Sequence, residues 1–238
     1  MDRLTVVCWK WKPQPDYRSQ FGPETVNVLK NMVARHYRRP HDFVCVTDDP
    51  EGIDRSIRIV PLWKDHADIP NPTSRRNPSC YRRLRAFSAE AADLFGPRFV
   101  SLDLDCVITG DLEPLWDRPE EFVIWGDTAR RTPYNGGMFL LTAGSRRRVW
   151  DEFDPDCSPA LTRSLGMIGS DQAWIAACLG PGEPRWTIDD GVYSFNNHIR
   201  RCGGKLPANA RIVFFHGRAD PWQTEVQSQY PWVKAHWQ

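Results

Sequence analysis

The chain has no apolar run approaching the roughly 20 residues that a membrane-spanning helix needs. Its N-terminal stretch, MDRLTVVCWKWKP, also lacks the long apolar run of a secretory signal. The expectation from both is a cytoplasmic protein without a membrane span. An excess of one charge is missing as well, with Lys plus Arg at 31 and Asp plus Glu at 30. That balance leaves no electrostatic footprint for a nucleic acid, so no nucleic-acid partner is expected. No two cysteines stand in a CxxC spacing, which argues against a zinc ribbon. The seven cysteines are scattered, and Cys8, Cys45 and Cys178 lie in apolar surroundings. They read as buried free thiols, in keeping with a reducing compartment. There is no internal repeat, no low-complexity tract and no clear linker. With 238 residues, 41% of them apolar, the chain reads as one α/β domain able to bury a sizeable core.

What is present begins with alternating elements. The run Leu4 to Trp9 reads as a buried strand. A loop through Pro13 and Pro15 follows. Pro23 then opens a helix at a position that needs no amide donor. Val26, Leu29, Val33 and Tyr37 give that helix one apolar face, and Pro40 ends it. Residues 43–47 and 57–62 read as the next strands. Such alternation predicts a mostly parallel sheet with crossover helices. Ligands then bind beyond the carboxyl ends of the strands, where Trp9 to Trp11 and Thr47 to Asp49 fall. Further on, a helix is expected over 81–94 and a strand over 99–105. More strands are expected over 122–125, 138–142 and 211–215, and helices over 146–153 and 171–179.

Several side chains carry possible chemistry. Asp103 and Asp105 flank Leu104, and strand alternation would put both carboxylates on one side. Two carboxylates held together repel, and a divalent cation resolves the conflict. Hard oxygen ligands suit Mg²⁺ or Mn²⁺. The other reading is an Asp-rich turn at a strand end. A second D-x-D, Asp154-Pro155-Asp156, follows no strand and reads as a decoy. His216 ends the 211–215 strand, as a third metal ligand or as a surface residue. Asn135 and the two glycines after it fit a sugar hydroxyl or a tight turn. Ser170 and Asp171 suit a helix start, whereas capping gives no role to Gln172. Arg75, Arg76, Arg82, Arg83 and Arg85 form either a solvated helix face or an anion site. Of eleven tryptophans, Trp11, Trp63, Trp125, Trp222 and Trp232 lie beside turns or charges. They read as core or as ligand-facing platforms.

Taken in order, these segments resemble the family 8 glycosyltransferases and their bacterial relatives. The motifs are DLD at 103–105, YNGGMFLLTAG at 134–144, GSDQAW at 169–174 and FFHGRADPW at 214–222. The opening CWKW and the VTDD at 46–49 resemble one bacterial branch of the group. The resemblance implies a GT-A fold, Rossmann-like, with the nucleotide-binding half over 1–105 and the sugar- and acceptor-binding half over 106–238. It implies a hexosyltransferase-like enzyme with a nucleoside-diphosphate-sugar donor, commonly UDP-linked. Mn²⁺, or Mg²⁺, would be held by Asp103, Asp105 and His216, with Leu104 between the two acids. Cys8, Trp9, Lys10, Trp11 and Asp48 would bracket the base and ribose. Arg83, with Arg82 the close second, would contact the donor. Asn135, Asp171 and Gln172 would hold the donor sugar. Gly217 and Arg218 would lie near the diphosphate, because the family's late Lys is here Asp220. Asp220 itself would point outward or pair with an arginine.

The mechanism so implied is transfer with retention to a hydroxyl of a glycan, a lipid-linked or a small-molecule acceptor. The leaving phosphate would assist front-face attack, since no nucleophilic Glu stands out. Arg83, Arg218 or Lys10 would share the leaving charge. Two rivals remain open at this point. One is a non-catalytic nucleotide-sugar or carbohydrate-binding protein, for which Asp220 speaks. The other is a D-x-D metal-dependent phosphatase or nucleotidyltransferase, which leaves YNGG and HGRADPW unexplained.

Overall fold

The computed structural model describes residues 3–12, 20–72, 79–126 and 132–238. Its strands are β1 (Leu4–Lys10), β2 (His41–Thr47), β3 (Arg58–Pro61), β4 (Arg98–Leu102), β5 (Cys106–Ile108), β6 (Phe122–Trp125), β7 (Asn135–Thr142), β8 (Arg185–Trp186), β9 (Val192–Ser194) and β10 (Ile212–Phe214). The helices are α1 (Pro23–His36), α2 (Ala91–Phe95), α3 (Glu113–Trp116), α4 (Arg148–Asp151), α5 (Ser158–Ser164), α6 (Asp171–Leu179), α7 (Thr224–Gln229) and α8 (Pro231–His236).

Every residue of β1 is buried, as expected of a strand covered on both faces. Alternation sends Val6 and Cys8 into one core, with Leu29 and Val33 of α1. Val7 and Trp9 enter a second core, with Phe95 and Phe99. Pro23 sits in the first turn of α1, and extended backbone at Tyr37 stops the helix. A seven-stranded sheet runs in the order β3-β2-β1-β4-β7-β6-β8, and β5-β10-β9 form a smaller one. β2, β1 and β4 are parallel neighbours, so Lys10, Thr47 and Leu102 end at one edge. β7 runs antiparallel to β4, which brings its first residues, Asn135 to Gly137, to that same edge. Among the described residues no helix is long and apolar enough to cross a membrane.

Three local expectations are corrected. The strand expected over 99–105 stops at Leu102. The Asp103 amide bonds to the Gly137 carbonyl at 2.8 Å, the chain bends, and residues 106–108 leave to pair with β10 in the smaller sheet. The helix expected over 81–94 is instead a 3₁₀ helix, Tyr81–Phe87, followed by the short α2. Extended backbone at Ser88 breaks it. The helix expected over 146–153 shrinks to Arg148–Asp151.

Candidate active site

The carboxyl edge of the large sheet is organised around one guanidinium. Arg83 projects from the 3₁₀ helix and is buried. Its Nε donates to Asp171 Oδ2 at 2.8 Å, and Nη2 lies 2.6 Å from the same oxygen. Nη1 bonds Asp103 Oδ1. Burial works against the charge of Arg83, but Asp103 and Asp171 outweigh it and hold its pKa well above the usual value. Burial also raises the Asp103 carboxyl, while Arg83 and, more weakly, His216 oppose the rise. One cation thus neutralises carboxylates from two distant segments.

Gly136 makes room for this bridge. A Cβ there would lie 2.9 Å from Arg83 Nη2 and 3.0 Å from Asp171 Oδ2, closer than atoms pack without displacement. The Gly136 amide bonds Gln172 Oε1 at 3.3 Å, and Gln172 Nε2 bonds the Ile168 carbonyl at 3.0 Å. Asn135 Oδ1 accepts from the Gly137 amide at 2.9 Å. The two amides assigned to a sugar therefore also brace the glycine turn.

Backbone pairing brings the segment that carries His216 alongside the one that carries Asp103 and Asp105. The Phe215 amide donates to the Asp105 carbonyl at 2.7 Å, which sets His216 beside the D-x-D segment. Leu104 turns into the core and is 3% exposed, leaving its two neighbours partly open. As the side chains stand, Arg83 holds Asp103, and Ser194 Oγ lies 2.8 Å from His216 Nε2. Among the described residues no three His, Cys, Asp or Glu side chains gather closely enough to hold a metal ion.

Reasoning from sequence missed Ser194 and Asn196, and placed Asp49 at the edge without its pairing to Lys10. Ser194 and Asn196 secure His216, the latter by a bond from its side-chain amide to the His216 carbonyl. Nothing in their local pattern marks either residue.

The first loop is placed at the edge, with a different use of its side chains. Cys8 and Trp9 are buried, and Trp9 Nε1 bonds Ser101 Oγ at 2.8 Å. Only their backbone stands near the edge. Lys10 is not directed at a phosphate: its buried ammonium bonds Asp49 Oδ2 at 2.6 Å and the Asp49 carbonyl at 2.9 Å. Its hydrogen bond holds Asp49 below the usual carboxylate pKa. Asp48 is exposed and accepts from the Lys12 amide at 2.8 Å, tying the first loop to the end of β2. Trp11 is half-buried.

Several other assignments change. Ser170 does not cap α6; its hydroxyl accepts from the Cys80 amide at 2.8 Å. Trp125 is core rather than platform, 1% exposed and stacked on Phe214 with ring centroids 4.4 Å apart. Trp63 donates to the Arg82 carbonyl at 2.8 Å. Arg85 pairs with Asp65 and Glu90, away from the carboxylate pair. Arg75 and Arg76, and the loop through Pro13 and Pro15, lie outside the described residues. In the late motif Gly217 adopts φ of +111° and Arg218 is exposed. Asp220 does not point outward: it is 2% exposed, and its amide bonds Gln223 Oε1 at 3.1 Å. Packing thus excludes an outward Asp220.

No family model matches the chain, and no curated protein matches it in sequence. Solved structures do match it in fold. A galactosyltransferase, LgtC, in complex with donor and acceptor sugar analogs, aligns with TM-score 0.65 at 15% identity, over 98% of this chain and 95% of that one. The glycosyltransferase GlyE of Streptococcus pneumoniae TIGR4 aligns with TM-score 0.63 at 12% identity, over 98% of this chain and 61% of that one. Mouse xyloside xylosyltransferase 1, apo form, aligns with TM-score 0.54 at 13% identity, over 92% of this chain and 99% of that one. The seven-stranded, mostly parallel sheet flanked by helices is therefore the GT-A fold that these glycosyltransferases share.

Proposed function

We propose that this chain is a glycosyltransferase of the family 8 type. It moves a sugar from a nucleoside-diphosphate-sugar, UDP-linked, to an acceptor hydroxyl with retention of configuration. The observation that carries the reading is the Arg83 bridge. It joins Asp103 of the D-x-D segment to Asp171 of α6, at the edge of a GT-A sheet where such folds take their ligands.

In this reading residues 1–238 are one domain. The backbone of Cys8 to Trp11, with Asp48, lines the base and ribose in the half over 1–105. Asn135, Asp171 and Gln172 face the donor sugar in the half over 106–238. Arg83 fixes the orientation of Asp103 and Asp171 so that neither carboxylate must reorganise during transfer. Gly217 lets the chain approach the diphosphate closely, and Arg218 supplies a cation to it. The acceptor is a glycan, a lipid-linked or a small-molecule hydroxyl, in a cytoplasmic setting consistent with the buried thiols of Cys8, Cys45 and Cys178.

Mn²⁺ or Mg²⁺ belongs to the same reading. The carboxylates of Asp103 and Asp105 with the His216 imidazole are donors that suit Mn²⁺ especially. When bound, such an ion stabilises negative charge on the departing nucleoside diphosphate. Arg83 and Ser194 hold two of those donors in the orientation described above.

A binding-only reading draws on two observations: Arg83 already engages Asp103, and Asp220 stands where the family has Lys. A thermal-shift series with UDP, ADP and GDP, with and without Mn²⁺, tests the proposal, since ligands selective for the folded state raise Tm. UDP with Mn²⁺ should raise Tm, and Asp103→Asn and Asp105→Asn should each lose the shift while staying folded. No shift with any nucleotide, or unchanged shifts in both variants, overturns the proposal. Slow donor hydrolysis without acceptor separates turnover from binding alone.

A further inference from the structure

A cavity of about 860 Å³ opens at the opposite edge of the large sheet from the carboxylates. Leu4, Arg98 and Thr142 line it where β1 and β4 begin and β7 ends. Its volume falls within the roughly 300–1,000 Å³ of small-molecule sites. Tyr37 and Trp116 form an aromatic wall, with ring centroids 5.1 Å apart and planes inclined by 59°. Trp116 is 1% exposed, and its buried indole N–H has no hydrogen-bond partner among the described residues.

Arg98 supplies a polar part of the cavity. At the rim, Arg39 pairs with Asp117 at 2.6 Å and Arg118 with Glu120. Arg98 instead donates only to neutral oxygens: Thr142 Oγ1 at 2.8 Å, the Arg118 carbonyl at 2.6 Å and the Glu120 carbonyl at 2.9 Å. Among the described residues no ion pair includes it. Three bonds leave two of the five guanidinium hydrogens without an acceptor among the described residues. Burial lowers its pKa, against the more distant Glu120 and Asp117 charges.

We propose that this cavity is a second ligand site, for a small anion with a flat, apolar body. The oxyanion meets Arg98, and the body lies against Tyr37 and Trp116. A half-buried cation that no ion pair among the described residues includes favours an anion, and the aromatic wall selects against inorganic phosphate alone. The site is separate from the carboxylate edge: β4 runs from Arg98 to Leu102, four steps or about 13 Å at strand rise, and Asp103 lies beyond its far end. The inference does not rest on the glycosyltransferase reading.

The test uses the full chain labelled with ¹⁵N and three probes: phenyl phosphate, inorganic phosphate and phenol. Phenyl phosphate should shift the amides of Arg98, Arg118 and Thr142 saturably, at least tenfold more tightly than either other probe. Excess UDP should not displace it. Arg98→Gln should weaken it at least tenfold. Because Arg98 also ties two loop carbonyls, the charge series on the parent protein decides the matter if that variant fails to fold. No saturable shift at these amides, phenol binding as tightly as phenyl phosphate, or displacement by UDP overturns the proposal.

Discussion

Arg83 and Asp171 stand 88 residues apart in the chain and share one buried contact, Nε to Oδ2 at 2.8 Å. Arg83 is also the partner of Asp103, so its removal strands two carboxylates. Arg83→Met is expected to lower stability by about 3–5 kcal/mol, the range for breaking a buried pair by deleting one member. Urea denaturation monitored by tryptophan fluorescence measures it. A midpoint unchanged from the parent would show that the bridge does not hold the folded edge together.

Gly136→Ala inserts a methyl where the Arg83 Nη2 and Asp171 Oδ2 atoms leave only 2.9 and 3.0 Å. Overpacking of this kind costs about 1–3 kcal/mol. The loss should shrink in the Arg83→Met background, since half of the clash is then gone. A double-mutant cycle measures that coupling, and strictly additive losses would place the clash elsewhere.

Asn135→Ala and Gln172→Ala are expected to reduce transfer while UDP alone still binds. Each side chain braces the glycine turn beside the proposed sugar position, not the nucleotide position. Calorimetric titration with UDP, beside an assay of donor turnover, separates the two effects. Parallel loss of UDP affinity would move these residues to the nucleotide.

The late motif gives a paired prediction. Arg218 is exposed, so Arg218→Ala should leave the melting temperature unchanged and cost about 1.5–3 kcal/mol of donor affinity. Asp220→Lys should not improve donor binding. It places an ammonium in a pocket only 2% exposed and should lower stability by at least about 1–3 kcal/mol. A stable Asp220→Lys protein with tighter donor binding would show that Asp220 faces the phosphates after all.

His36 and His236 lie close together, with ring centroids 6.3 Å apart. Both have pKa values lowered from 6.5, chiefly by burial and then by Arg35, while Asp111 acts the other way on His36. A depressed histidine pKa favours the neutral form in the folded state. Its stabilising contribution is therefore full above the unfolded value of 6.5 and is lost as pH falls through the folded value. Stability should drop as pH is lowered from about 7 toward 5, and His36→Gln with His236→Gln should flatten that limb. Urea midpoints across the series check it.

Features whose cause is local or periodic could be read from the amino-acid order alone. β1 and β2 are legible because apolar runs of that length must be covered on both faces. The start of α1 is legible because Pro23 needs no donor there. The order of the D-x-D, YNGG, SDQ and HGRADPW segments pointed to this edge of a GT-A sheet. Tertiary structure decided what each polar side chain does. Extended geometry predicts that Asp103 and Asp105 share one side of a strand, yet the strand ends at Leu102 because residues 106–108 pair with β10. Ser170 looks like a helix cap, but the Cys80 amide, 90 residues away, takes its hydroxyl. Lys10 looks like a phosphate ligand until Asp49 is brought against it by parallel pairing of β1 and β2. Trp125 looks like a platform until Phe214 covers it. In each case the deciding partner lies far along the chain. A neighbour that only packing supplies leaves no trace in local pattern, and burial then decides which polar groups must pair.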